Sequence, residues 1–250
     1  MKRSGPDFII TTLVMLVLVG PFAPSAFADT FVVYGASGNV GSLIVEEALR
    51  RGHEVIGVSR NPESLRIENT HFAAVRGDVT DPSSIVATIQ GADAVIIAVG
   101  GVGPGNTPEE AVAFRGVNAY IEAASRLGDA TPYVIQVGSG TTLNTNGVLV
   151  FETLGIEPGT PMHGLFRGHW LALEAYRNST GFDWTVMSAA YRSIMGTGEY
   201  TGRYRLGGQE TLFDRNGSSL LSKEDYAIAV IDMAESHTVT GKRVAVGPPY

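Results

Sequence analysis

Two periodicities take turns along this chain. Thr30–Tyr34 is a short continuous apolar run, the pattern of a strand buried on both faces. Immediately after it the spacing becomes helical, with Val40, Leu43, Ile44 and Ala48 near one face of a helix predicted over Val40–Arg51. The alternation then repeats. Strands are predicted at His53–Val58, Phe72–Val75, Ala94–Val99 and Tyr133–Val137, with helices at Pro82–Gln90 and Pro108–Leu127 between them. Strands alternating with helices of this length predict an α/β fold, a doubly wound parallel sheet with helices on both faces. The pattern loosens from residue 140. Gly140–Pro161 reads as loop, Gly164–Asn178 as helix, Trp184–Met187 as strand, and Met195–Gly217 as turns with short strands. Ser222–Glu235 is a helix that opens with an N-cap serine and two acids in its first turn, and Arg243–Val246 is a last strand. In sheets of this class, loops beyond the C-terminal strand ends form the substrate crevice.

The first 28 residues have a different character. Lys2 and Arg3 precede an apolar run over Phe8–Val19, Gly20-Pro21 breaks it, and Ser25-Ala-Phe-Ala28 places small residues where signal peptidase reads. The run is short for a membrane span, so residues 1–28 are predicted to be a signal peptide cleaved after Ala28, and residues 29–250 the folded domain. Such a chain is expected in the periplasm or medium, with no membrane attachment after cleavage. The alternative is an uncleaved anchor.

Taking 28 from 250 leaves 222 residues, enough for one α/β domain with a sizeable core. The net charge of −7 becomes about −8 once Lys2, Arg3 and Asp7 are removed. That balance gives no general attraction for nucleic acid or an anionic membrane. With no Cys there is no disulfide, thiol nucleophile or thiolate metal site.

The strongest chemical signal is the turn between the first strand and first helix, Gly35-Ala-Ser-Gly-Asn-Val-Gly41. Its spacing is G-x-x-G-x-x-G. At a strand-to-helix junction, glycines allow a tight turn and close backbone approach, and the helix start offers unpaired N–H groups to a pyrophosphate. A dinucleotide is the expected ligand. The second strand ends in Ser59-Arg60-Asn61, without the carboxylate that would bind the ribose 2′-hydroxyl of NAD. A hydroxyl and a cation there suit a 2′-phosphate, so NADP is expected, with NAD the alternative. Gly77-Asp78-Val79 ends the third strand where an adenine would lie. Asp78 is a candidate for its exocyclic amine or, alternatively, for capping the next helix. Ala98-Val99-Gly100 is placed under the nicotinamide ribose, and Gly138-Ser139-Gly140 near the reacting ring.

These segments, with Thr180-Gly-Phe-Asp-Trp-Thr-Val-Met-Ser188, Thr201-Gly-Arg-Tyr-Arg-Leu-Gly-Gly208 and Ser222-Lys-Glu-Asp-Tyr226, resemble the atypical short-chain dehydrogenase/reductases. The resemblance is to their NmrA-like NAD(P)H-binding branch, and within it to bacterial NADH–flavin reductases. It covers roughly residues 30–247. It implies a Rossmann-like sheet with helices on both faces, a small C-terminal substrate region, and cofactor contacts at Gly35, Ser37, Gly38, Asn39, Val40, Gly41, Ser59 and Arg60. Asp78, Val79, Ala98 and Gly100 join them from the strand ends, and Ser139 is the candidate catalytic residue.

Departures from the family's usual pattern shape the expected chemistry. The only lysines are Lys2, Lys223 and Lys242, and none follows a Tyr by four residues, so the Tyr-x-x-x-Lys proton relay is missing. Phe166 and Trp170 stand at the corresponding positions, and Ser188-Ala189 replaces the branch's common Arg-Pro. Ketone reduction needs a proton delivered to the forming alkoxide. Hydride transfer to an electron-poor flavin or quinone needs orientation and a dry contact more than an acid. The expected function is therefore an NADP-dependent oxidoreductase with a flavin-like or quinone-like small-molecule acceptor. The alternative is a non-catalytic NAD(P)-binding sensor or partner-binding protein. An isomerase-type relative is disfavoured by the missing proton-transfer pair. Tyr191, Phe151 and Trp170 are candidates to stack the acceptor, or else are packing residues. The five histidines show no metal-ligand spacing and are expected at the surface or in loops; no metal site is expected. Arg203 and Arg205 face either an anionic ligand or solvent.

Overall fold

The computed structural model describes residues 28–190 and 198–250. In chain order its first half contains β1 (Thr30–Tyr34), α1 (Gly41–Arg50), β2 (Glu54–Ser59), β3 (Phe72–Arg76), α2 (Pro82–Ile89), β4 (Ala94–Ile97), α3 (Val112–Leu127) and β5 (Tyr133–Gly138). The second half contains β6 (Asn144–Thr145), β7 (Val148–Leu149), α4 (Val150–Thr153), α5 (Pro161–Arg177), β8 (Trp184–Ala189), β9 (Arg205–Gly207), α6 (Lys223–Ser236) and β10 (Lys242–Gly247). Eight strands form one sheet in the order β3-β2-β1-β4-β5-β8-β10-β9, parallel throughout except for β9 against β10. The predicted doubly wound Rossmann-like α/β architecture is the one observed.

Burial on both faces explains the unbroken apolar run of β1. Phe31 and Val33 point into a core shared with Ile44 and Val45 of α1 and Val230 and Ile231 of α6. Val32 and Tyr34 point to the other side, toward Ile85 of α2, Val117 of α3 and Tyr176 of α5. Arg51, just past α1, clasps the α1–α6 layer through Glu47, Asp232 and Glu235 at 2.8, 2.6 and 2.6 Å. Sheet order reverses between β1 and β4, opening a crevice at their C-terminal ends.

Several predicted boundaries move, each for an identifiable reason. The helix expected from Pro108 begins at Val112. Pro108–Glu110 is a 3-10 turn, and Ala111 is extended with φ −60° and ψ 130°. Ala111 is pressed against Gly168 of α5, where a Cβ would overlap the Ala111 methyl. Similarly, a Cβ on Gly164 would lie 2.8 Å from the Asn106 carbonyl carbon. This two-glycine seam draws α5 onto the 102–111 segment. The stretch expected to be loop contains the hairpin β6–β7, turned by Asn146 (φ 54°) and Gly147 (φ 78°). α5 starts at Pro161, three residues earlier than expected, because the Thr160 hydroxyl accepts the His163 N–H at 3.2 Å.

Two motifs that carried the family resemblance clasp each other. The buried carboxylate of Asp225, in the first turn of α6, accepts from Thr201 N at 3.0 Å, Thr201 Oγ1 at 2.9 Å and Gly202 N at 2.7 Å. Ser222 caps α6 as expected, through the Asp225 N–H at 2.9 Å. Buried Arg243 donates to the Thr142 carbonyl and the Gln209 side chain, tying the turn after β5 to the segment following β9.

Candidate functional site

The β1–α1 turn is built around missing side chains. Gly35 has φ +80°, and a Cβ there would lie 2.9 Å from the Ala98 carbonyl carbon. Gly38 donates its N–H to the Gly35 carbonyl at 2.8 Å and accepts from Ser42 N at 3.0 Å. Gly41 seats the start of α1 on that same Gly35 peptide. Val40 is the N-cap, so no side chain caps the helix, and its first turn carries no acid. The positive end of α1 is thus left to a ligand. Ser37 and Asn39 are exposed at the rim, while Val40 is buried beneath. A cradle that side chains would fill, facing an uncapped helix end, fits a dinucleotide pyrophosphate.

A groove of about 360 Å³ runs from this turn across the ends of β2 and β3 and brings together Gly35, Ser37, Gly38, Ser59, Arg60, Asp78 and Val79. Arg60 is exposed, and its carbonyl accepts from Arg76 Nη1 at 2.7 Å, which puts a second cation beside it. The Ser59 hydroxyl is already engaged with its neighbour, accepting from Asn61 N at 3.1 Å. Asp78 accepts from both the N–H and hydroxyl of Thr80 at 2.8 Å. The Thr80 backbone N–H holds its carboxyl below the usual range, with smaller help from the hydroxyl, Arg60 and Arg115, against the opposing effect of burial. Asp78 does not cap α2. That role belongs to Asp81, whose carboxylate accepts Ser83 N at 2.9 Å. Arg115, not anticipated from the sequence, also lines the groove.

Gly38, Ala98, Val99 and Gly100 separate this groove from a second cavity of about 800 Å³ and line both. Its wall includes Ser139 after β5, Ala189 at the end of β8, and Met162, Leu165, Phe166 and His169 from α5. Among the described residues on that wall there is no Asp, Glu, Lys or Arg. Ser139 is held as the cap of the following 3-10 turn. Its hydroxyl lies 2.7 Å from Thr141 Oγ1 and accepts Thr141 N at 3.3 Å.

Some expectations need correcting. Phe166 faces the cavity, but Trp170, also on α5, packs against the core that holds Val117 and Tyr176, with Arg177 over its ring. Phe151 meets His163 edge-on instead of the cavity. Tyr191 lies outside the described residues, as does nearly all of the predicted signal peptide. Arg205 is structural, donating to the carbonyls of Pro248 at 2.8 Å and Phe213 at 2.6 Å and lying over Tyr250. Three histidines depart from the expected surface or loop placement; His163 is half-buried on α5 against Phe151. His53 is buried. Its Nδ1 accepts Asp29 N at 3.2 Å, so its Nε2 donates to Glu235 at 2.8 Å. His169, half-buried, stands on the cavity wall, and burial pushes its imidazole down to about 4. Sequence reasoning missed it because helical position alone does not show which face meets a cavity; its three-residue offset from Phe166 was the available signal.

Solved structures share this fold. The chain is 29% identical to a Bacteroides thetaiotaomicron protein described provisionally as an epimerase, over 89% of this chain and 98% of that one, with a TM-score of 0.76. It is also 29% identical to a Burkholderia pseudomallei protein described provisionally as exported, over 88% and 100% of the two chains, with a TM-score of 0.70. A Streptococcus pneumoniae protein described provisionally as an NADH-flavin reductase shares the fold at 24% identity, over 89% and 100%, with a TM-score of 0.68. The family model described as NAD(P)H-binding matches residues 35–237, from the first glycine of the turn to the end of α6. The chain therefore belongs to that NAD(P)H-binding family, of the atypical short-chain dehydrogenase/reductase kind.

Proposed function

We propose that this protein is an exported NADPH-dependent reductase whose acceptor is an uncharged, electron-poor ring of the flavin or quinone class. The observation that carries the reading is the 800 Å³ cavity, which opens off the cofactor groove and whose wall is mostly apolar, with no charged side chain among the described residues. Phe166 replaces the usual proton donor on α5, so the site favours acceptors that need no acid at the moment of transfer. Bound NADPH supplies a hydride equivalent. The turn at Gly35–Gly41 holds the pyrophosphate, and Arg60 with Arg76 provides positive charge for a 2′-phosphate. Met162, Leu165 and Phe166 line the cavity with apolar side chains that would keep water from the contact once an acceptor is seated. The S. pneumoniae fold relative supports the acceptor class by analogy.

The test is NADPH oxidation by the purified chain with riboflavin, FMN, a soluble naphthoquinone and a simple ketone as separate arms. Turnover with the ring acceptors and little with the ketone is expected. NADPH binding with no oxidation above buffer in any arm would replace the reductase with a sensor. The N-terminal pattern and the B. pseudomallei relative described provisionally as exported support the location. N-terminal sequencing from the native host should find Asp29 outside the cytoplasm; Met1 on a cytosolic protein would overturn export.

A further inference from the structure

The cavity wall offers polar side chains of two kinds. Most of its hydroxyls are occupied. Ser139 pairs with Thr141, and Thr160 donates to the Glu157 carbonyl at 2.8 Å while capping α5. His169 differs. It is the one titratable side chain on the wall among the described residues, and it makes no hydrogen bond to any described residue. Its neighbour Gly168 is pressed against Ala111, which fixes the rotation of α5 and leaves positions 165, 166 and 169 turned to the cavity. A ring N–H that opens into an apolar cavity, with no partner among the described residues, is available to a ligand.

We infer that His169 donates a hydrogen bond to a carbonyl oxygen of the acceptor ring bound in this cavity, orienting the ring and holding the negative charge that arrives with the hydride. The inference rests on the reductase reading above. Burial keeps the imidazole uncharged at working pH, so it presents one N–H and one lone pair. The balance is simple. Hydride brings two electrons and one hydrogen to the ring, and the resulting negative charge gathers on a ring carbonyl oxygen. An uncharged imidazole is too weak an acid to give up its N–H, so it stabilises that charge without transferring the proton. Water supplies the proton as the reduced ring leaves, and the cofactor departs oxidised. The same cavity thus selects for a ring that carries a carbonyl, a property shared by flavins and quinones.

The test compares wild type with His169→Phe, which keeps a flat ring without the donor, and His169→Gln, which keeps an uncharged donor. The probe is 2-methyl-1,4-naphthoquinone. Calorimetry of its binding to NADP-loaded protein is the readout independent of turnover. His169→Phe should lower kcat/KM about 100-fold and weaken quinone binding severalfold, with NADPH affinity unchanged. His169→Gln should recover to within about tenfold of wild type. Wild-type turnover and quinone affinity in His169→Phe would overturn the inference. So would parallel loss of NADPH affinity and thermal stability in both variants, which would mark His169 as structural. If wild type oxidised NADPH no faster than buffer with every acceptor, the reductase reading would fall, and the quinone-binding comparison would still judge the hydrogen bond.

Discussion

Gly41 packs against the peptide of Gly35 so closely that a Cβ on Gly41 would lie 2.8 Å from the Gly35 carbonyl carbon and nearer still to its oxygen. Gly38, between them, has more room, its Cβ position being 3.1 Å from the same oxygen. The two glycines should therefore fail differently. Gly41→Ala should destabilise the fold by about 1–3 kcal/mol through overpacking. Gly38→Ala should cost less than about 1 kcal/mol of stability but weaken dinucleotide binding at least tenfold, because its methyl group sits where the pyrophosphate must approach the backbone. Urea unfolding and NADPH calorimetry on both variants separate the effects. Unchanged NADPH affinity in folded Gly38→Ala would place the cofactor elsewhere.

Arg60→Ala should discriminate between cofactors. Losing a charged hydrogen-bond partner costs roughly 1.5–3 kcal/mol, or about 10–150-fold in affinity. NADPH should suffer that loss and NADH should not, because only the former carries the 2′-phosphate. Equal losses measured by titration would show that Arg60 does not read the phosphate. Arg76, which holds the Arg60 carbonyl, should show a weaker version of the same bias when replaced by Gln.

His169 also predicts how stability responds to acid. In the unfolded chain it takes a proton near pH 6.5, and in the folded protein only near about 4. Between these values the unfolded state binds the extra proton, so its contribution is complete above pH 6.5 and declines as pH falls toward 4. Urea unfolding should show up to about 2 kcal/mol lost between pH 7 and 5 that His169→Phe does not lose. Parallel pH profiles for the two proteins would contradict this.

Ser139→Ala removes the cap on Thr141 N and the hydroxyl pair with Thr141. A stability loss of about 0.5–1 kcal/mol is expected. Turnover with a flavin or quinone should stay within about tenfold, roughly 1.4 kcal/mol of barrier. A thousandfold loss in turnover with intact NADPH binding would instead give Ser139 a direct part in the chemistry.

Local signals made the cofactor half legible. An apolar run, a glycine turn and a helical stripe lie within 25 residues, and each depends on neighbours close in sequence. Ser59, Arg60, Asp78 and Ala98 could be placed because parallel strands deliver their ends to one edge. Two further local signals stand in the sequence: Thr160-Pro161, a cap followed by a first-turn proline, and Asn146-Gly147, a hairpin turn. Other features were not local. Ala111 is extended because Gly168, 57 residues away, receives it. His169 faces a cavity whose other walls come from the β1–α1 turn, the segment after β4, and the ends of β5 and β8. No window of sequence holds that information.

The seam of Gly164 and Gly168 has a consequence for changing what the protein accepts. Because α5 meets the 102–111 segment through bare backbone, the span between helix and strand ends acts as a fixed gauge. A residue larger than glycine at either position would wedge the helix outward and alter the fit for every guest at once. Met162 and Leu165 project from that fixed frame into the space. They are the adjustable jaws: shortening one admits a wider ring and lengthening it excludes one, while the gauge stays set.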